Sequence, residues 1–247
     1  MKKHGILFIF AHPDDETFTS GITISKYHHE QSASCYLVTA TRGQAGKPGN
    51  PPICSLEELP RVREQELRDA SSILGVSALE IWDYEDKNLS FVPLEELIIN
   101  IHEVISRLRP EVVVTFAPHG ISGHPDHKSI SNATTQAIHR LPENSSVRKL
   151  YYATRASSGT LTAPPPYTDS YDTITTIIDA PAFKEQVASA LRAHRTQHLS
   201  VDRVFPGVTS GDAANVPPRN HFILAWTNLP NVNVEDKESD LLAGLRV

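Results

Sequence analysis

Two apolar runs of strand length lead into the same tripeptide. ILFIFA (6–11) passes straight into His12-Pro13-Asp14, and VVVTFA (112–117) is followed a short loop later by His124-Pro125-Asp126. An uninterrupted run of β-branched and aromatic residues reads as a strand covered on both faces. Such strands occur where helices pack on both sides of a parallel sheet. The remaining pattern agrees: strand-like segments at 33–40, 78–82 and 149–154 alternate with helix-like ones at 57–74, 93–108, 125–140 and 182–196, with a weaker helix after Asp15. The clearest helix is 93–108, where Leu94, Leu97, Ile98, Ile101, Val104, Ile105 and Leu108 make one apolar stripe between Pro93 and Pro110. The expectation is an α/β fold with a mostly parallel twisted sheet and helices on both faces. No linker divides residues 1–247, so a single domain is expected.

Charge and cysteine usage narrow the partners. With 23 Lys and Arg against 29 Asp and Glu, the formal net charge of −6 argues against nucleic acid or an anionic membrane as the partner. Cys35 and Cys54 form neither a metal motif nor a disulfide framework, which fits a cytoplasmic protein. The N-terminal run is too short for a signal peptide and meets acids where a cleavage site would need small residues. No stretch reaches the length of a membrane span. GQAGKPG (43–49) lacks the Ser or Thr that a phosphate loop requires after its lysine.

The two tripeptides are where chemistry concentrates. In an open parallel sheet, ligands bind beyond the carboxyl ends of strands where the strand order reverses. If each proline opens a helix, each histidine stands at a helix start and the residue three later returns to its face. This pairs His12 with Asp15 and His124 with His127. Imidazoles and carboxylates converging at neighbouring strand ends are metal-ligand chemistry, and three protein ligands leave a position open for catalysis. Either motif alone also reads as an acidic helix start favoured by the helix dipole.

AHPDDE, GHPDH, RVREQELRDASSILGV (61–76) and ALRAHRTQ (190–197), in this order, resemble the zinc-dependent N-acetylglucosaminyl deacetylases related to the PIG-L and LmbE proteins. The resemblance spans roughly residues 4–200. It implies a Rossmann-like metal-dependent hydrolase that removes acetyl from the 2-amino group of an N-acetylglucosamine unit, with one Zn²⁺ per chain. It implies His12, Asp15 and His127 as zinc ligands and Asp14 as general base. His124 would be the oxyanion-stabilising histidine, Asp126 the residue that orients it, and Arg63 a substrate contact. The implied partner is a small amino sugar or glycoconjugate, and a homo-oligomer is left open.

Two other classes compete. Asp14, Asp15 and Glu16 could form an all-oxygen Mg²⁺ site for phosphoryl transfer, against which the histidines of the second motif count. A sugar-binding module without chemistry would need neither Asp14 nor His124. By pattern alone Arg63 lies among the charges of a solvated helix face. His194 lines up with Phe183, Val187 and Leu191 as a core histidine, and its AHRTQ segment allows a supporting role near the site. His119 and Arg155 are undecided. The Gly- and Pro-rich loops 41–55 and 157–171 read as binding loops. The segment after residue 200 carries a late strand at 221–226 and no assigned role.

Overall fold

The computed structural model describes residues 4–30, 32–157 and 166–245. Its strands are β1 (His4–Phe10), β2 (Ala33–Thr41), β3 (Ala78–Tyr84), β4 (Val112–Phe116), β5 (Lys149–Thr154), β6 (Thr176–Asp179) and β7 (Arg219–Thr227). The helices are α1 (Asp15–His29), α2 (Leu59–Leu74), α3 (Leu94–Leu108), the single turn α4 (Gly120–Gly123), α5 (Pro125–His139), α6 (Lys184–Ala193) and α7 (His198–Val204). One seven-stranded sheet runs in the order β3-β2-β1-β4-β5-β7-β6. β3 to β5 pair in parallel, while β7 is antiparallel to both β5 and β6. The mostly parallel α/β sheet expected from the sequence is what the chain forms.

This order fixes the location of the site. From β1 the chain winds outward through β2 and β3, then returns to β4 on the other side of β1, in register Ile6↔Val112 to Phe8↔Val114. The reversal between β1 and β4 opens a crevice at their carboxyl ends, and both His-Pro-Asp motifs follow those two ends. Every residue from Gly5 to Phe10 and from Val112 to Phe116 is buried, which is why both strands read as continuous apolar runs.

Two expectations need correction. Pro125 does open α5, with His124 as its N-cap, but Pro13 lies outside α1. Asp14 takes a φ of 109°, a left-handed conformation that no helical residue adopts. Paired bonds hold the turn: the His12 amide donates to Asp15 Oδ2 at 2.8 Å and the Asp14 amide to Glu16 Oε2 at 3.1 Å. The weakness of the α1 pattern also has a cause. This helix is buried nearly all round, packing Thr17, Ser20, Gly21, Thr23 and Ser25 against the sheet and α6, so small polar residues stand where an apolar stripe would be expected. The helix expected at 182–196 is shorter, with single 3-10 turns at Pro181–Phe183 and Arg195–Gln197 flanking α6. β6 and α7 were not legible because they are only four and seven residues long. Of the loop expected at 157–171, residues 158–165 lie outside the described residues. Among the described residues no helix is long and apolar enough to cross a membrane.

Candidate functional site

A cavity of about 710 Å³ opens at the β1/β4 crevice, and His12, Asp14, Asp15, Arg63, His124 and His127 all border it. At its base, His12 Nδ1 lies 3.1 Å from His127 Nε2, and His127 Nε2 lies 3.3 Å from Asp15 Oδ1. His12 Nδ1 is 3.5 Å from Asp15 Oδ2. All three residues are buried.

The tautomers follow from the outer partners. His127 Nδ1 donates to the Gly120 carbonyl at 2.9 Å, leaving an unprotonated Nε2, and its ring stacks on Phe116 with centroids 4.1 Å apart. His12 Nε2 stands 3.0 Å from Asp86 Oδ1 and 3.2 Å from Asp126 Oδ2, so its hydrogen goes to these carboxylates and Nδ1 keeps its lone pair. Two lone pairs thus face one another at 3.1 Å beside a carboxylate. A cation between them converts that repulsion into coordination. The three separations also bracket the donor–donor edge of about 3.3–3.4 Å for tetrahedral bonds of about 2.0–2.1 Å. Without the cation the charges redistribute. Burial pulls the His12 pKa down, but hydrogen bonds with Asp126, Asp15 and Asp86 outweigh it and raise it well above the usual imidazole value. Burial raises the Asp15 pKa, and His127 and His12 overcome this to hold it far below the usual carboxylate range.

Side chains able to hold a metal are therefore present, and they form overlapping groups. His12, His124 and His127 make one, and His12, Asp86 and Asp126 another. The second faces the other nitrogen of His12, and its carboxylates are already in use. Asp126 accepts the amides of Lys87 at 2.6 Å and Leu89 at 3.2 Å, and Asp86 accepts that of Ala45 at 3.0 Å. A carboxylate gripping the far nitrogen of a ligand imidazole is the common way to orient it.

Asp126 departs from the role implied by the resemblance. Among the described residues its carboxylate reaches His12, not His124; only its backbone amide reaches His124, donating to Nδ1 at 3.1 Å. That contact leaves the ring hydrogen on Nε2. Burial lowers the His124 pKa, and the neighbouring His12 and His127 lower it further, so this half-buried imidazole is a neutral donor.

Asp14 stands apart from His12, Asp15 and His127 on its left-handed turn. Burial raises its pKa to about 6 against the opposing charge of Arg63, whose Nη2 is 3.2 Å from Asp14 Oδ2. Arg63 is not on a solvated face. It is 4% exposed and donates to the carbonyls of Gly43, at 2.8 Å, and Pro13. Gly43, at φ 65°, is required here, because a Cβ would fall 2.1 Å from Arg63 Nη1.

Sequence reasoning missed Asp86, which sits in WDYEDKN (82–88) among other acids with nothing in the spacing to select it. It also missed the use of Glu16. This carboxylate is fully buried and accepts from the Asp14 amide and the Thr17 hydroxyl, with His194 Nε2 at 2.9 Å. Asp14, Asp15 and Glu16 therefore do not gather into an oxygen-only site. His194 is a core histidine, as its spacing suggests, and it braces Glu16. His119 Nε2 contacts Asp169 at 3.0 Å, and Arg155 borders the cavity.

Residues 7–138 match the family described as PIG-L: GlcNAc-PI de-N-acetylase. The chain is 38% identical over 149 residues to a probable N-acetyl-alpha-D-glucosaminyl L-malate deacetylase 2 of Bacillus anthracis, covering 60% of this chain and 64% of that protein. It is 31% identical to a 1D-myo-inositol 2-acetamido-2-deoxy-alpha-D-glucopyranoside deacetylase of Saccharomonospora viridis, covering 97% of this chain and 100% of that one. The fold is shared with an N,N'-diacetylchitobiose deacetylase from Pyrococcus horikoshii, at a TM-score of 0.62 and 20% identity over 88% of this chain and 82% of that one.

Proposed function

The chain belongs to the PIG-L family, and from that premise we propose that it is a metal-dependent hydrolase that removes the N-acetyl group of an N-acetylglucosamine-type sugar or conjugate. The observation that carries this reading is the approach of His12 Nδ1 and His127 Nε2 to 3.1 Å beside Asp15, with the carboxylate of Asp14, held by Arg63, bordering the same cavity. His12 through Nδ1, His127 through Nε2 and Asp15 are the ligands for one Zn²⁺ per chain. Two imidazoles and a carboxylate suit zinc better than magnesium. Bound there, the metal supplies Lewis-acid activation of water and of the amide carbonyl.

The remaining steps belong to the protein. Asp14 takes the proton of the attacking water as its oxygen bonds to the acetamide carbonyl carbon. His124 Nε2–H donates to the oxygen that gains negative charge, a contact typically worth about 3–4 kcal/mol of barrier. Protonated Asp14 then returns its proton to the sugar nitrogen as the C–N bond breaks, releasing acetate and a free amine. Asp126 and Asp86 hold His12 in its tautomer, and Arg63 fixes Asp14 and borders the space where substrate enters. The single sheet drawn from residues 4 to 227 supports one domain. A cytoplasmic setting accords with the cysteine usage, in which Cys35 and Cys54 form neither a metal motif nor a disulfide framework.

A panel of N-acetylated amino sugars and their glycosides, assayed for new primary amine with and without a chelator, tests this reading. Chelator-sensitive amine release from the glucosamine series is expected. Release indifferent to chelation, or confined to substrates lacking an amino sugar, overturns it.

A further inference from the structure

Two buried acids lie outside the reaction centre. Glu16 is 0% and Glu66 2% exposed, and neither lines the cavity. Burying a carboxylate is costly unless its oxygens are taken up by hydrogen bonds, so the partners of each show what it is for.

Glu16 turns Oε2 to the Asp14 amide at 3.1 Å and Oε1 to the Thr17 hydroxyl and to His194 Nε2, the last at 2.9 Å. His194 is buried, and both polar contacts of its ring run through Nε2, to Glu16 and at 3.4 Å to the Thr17 hydroxyl. Its Nδ1 has no hydrogen-bond partner among the described residues. A leucine would fill the same space without burying two ring nitrogens, so the imidazole stands there for the sake of Nε2.

Glu66 supplies the next link. It accepts the Thr196 amide on Oε1 at 2.9 Å and the Thr196 hydroxyl on Oε2 at 2.7 Å. Both bonds tie the turn Arg195–Gln197, which begins directly after His194, to α2. The same helix carries Arg63 three residues earlier, on the face that Glu66 shares, and Arg63 Nη2 holds Asp14 Oδ2 at 3.2 Å. Asp14 is thus gripped twice from α2. Arg63 takes the carboxylate directly, whereas Glu66 reaches the amide through Thr196, His194 and Glu16 in series. The second grip bears on the backbone, whose φ of 109° persists in a non-glycine residue only where its surroundings over-determine it.

We propose that Glu66 and His194 are positioning residues for Asp14: acting through Glu16, they hold the left-handed turn that presents the Asp14 carboxylate to the attacking water. That Asp14 is the base rests on the deacetylase reading; the clamp on its turn does not.

The test uses zinc-loaded full-length protein and leaves Glu16 intact, because it neighbours Asp15. Glu66→Ala cuts the anchor, Glu66→Gln keeps its size and one acceptor, and His194→Leu fills the core but donates nothing. Glu238→Gln is the control, since this carboxylate pairs with buried Lys149 at 2.6 Å and neither residue lines the cavity. Exchange of the Asp14 amide hydrogen, followed by NMR, needs no substrate. It should be about tenfold or more faster in Glu66→Ala and His194→Leu than in the control, with zinc content unchanged. In the same two variants kcat for amine release from methyl N-acetylglucosaminide should fall about tenfold or more with KM within about threefold of wild type. Glu66→Gln should recover most of both losses. Should His194→Leu not fold, the two Glu66 variants decide alone. Asp14 exchange no faster than in the control, a kcat that falls no further than the control's, or a loss confined to KM overturns the proposal. Faster Asp14 exchange in a series whose wild type releases no amine retains the clamp and refutes the deacetylase reading.

Discussion

Replacing Arg63 by Ala separates a residue that builds the site from one that only touches substrate. The guanidinium is 4% exposed and joins the Pro13 carbonyl, the Gly43 carbonyl at 2.8 Å and Asp14 Oδ2 at 3.2 Å. Truncation removes the cation and leaves three acceptors. Breaking a buried pair from one side costs about 3–5 kcal/mol. The Asp14 side chain keeps 17% exposure, so water recovers part of the loss, and about 3 to 4 kcal/mol is expected. At about 2–4 °C per kcal/mol for a chain of this size, Tm should fall by about 6 to 16 °C. Because the same bonds aim Asp14, kcat should fall more than KM rises. Arg63→Lys should recover less than half of the stability, since one ammonium cannot span the three acceptors. Urea unfolding followed by Trp82 and Trp226 fluorescence gives the stability, and steady-state kinetics at saturating zinc gives the split. Stability within about 1 kcal/mol of wild type, with KM alone raised, would refute this reasoning and leave Arg63 a plain substrate contact.

Other consequences can be checked in the same preparations. Gly43→Ala should displace Arg63, since its Cβ would meet the guanidinium at 2.1 Å, and so reproduce the kcat loss of Arg63→Ala; wild-type kcat would contradict this. Zinc should raise the Tm of wild type, as a ligand of the native state does, and should shift Asp15→Ala and His127→Ala much less; equal shifts would place the metal elsewhere. His194 gives a pH signature in chelator-treated protein. Burial lowers its pKa, but the Glu16 charge and hydrogen bond overcome this and raise it. The stabilisation is therefore complete below the unfolded value of about 6.5 and lost as pH climbs through the higher folded value. The stability gap between wild type and His194→Gln should narrow on going from mildly acidic to alkaline pH, and a gap that widens would refute the pairing.

The parts of this protein that a linear pattern can express were readable in it. β1 and β4 declared themselves because burial on both faces removes all alternation, and Pro125 declared α5 because proline suits a first helical turn. The turn at Asp14 did not, since its φ of 109° is set by bonds to Glu16 and Asp15 that no spacing rule encodes. Arg63 illustrates the same limit: its neighbours on α2 are exposed charges, and only the approach of Gly43 and Pro13 from other loops reveals it as buried. Asp86 lies 74 residues from His12 in sequence and 3.0 Å from it in space.

The central claim is that Asp14 does the proton chemistry while His12, Asp15 and His127 hold the metal. Asp14→Asn keeps the size of the side chain and its contact with Arg63 but cannot accept the water's proton. The decisive measurement is kcat for release of amine from an N-acetylglucosaminide by wild type and Asp14→Asn, with zinc determined on the same samples. The account predicts equal zinc at about one per chain and a kcat lowered by about 10²-fold or more, with KM little changed. An Asp14→Asn protein that loses its zinc, or one that is fully loaded and turns over like wild type, would contradict it.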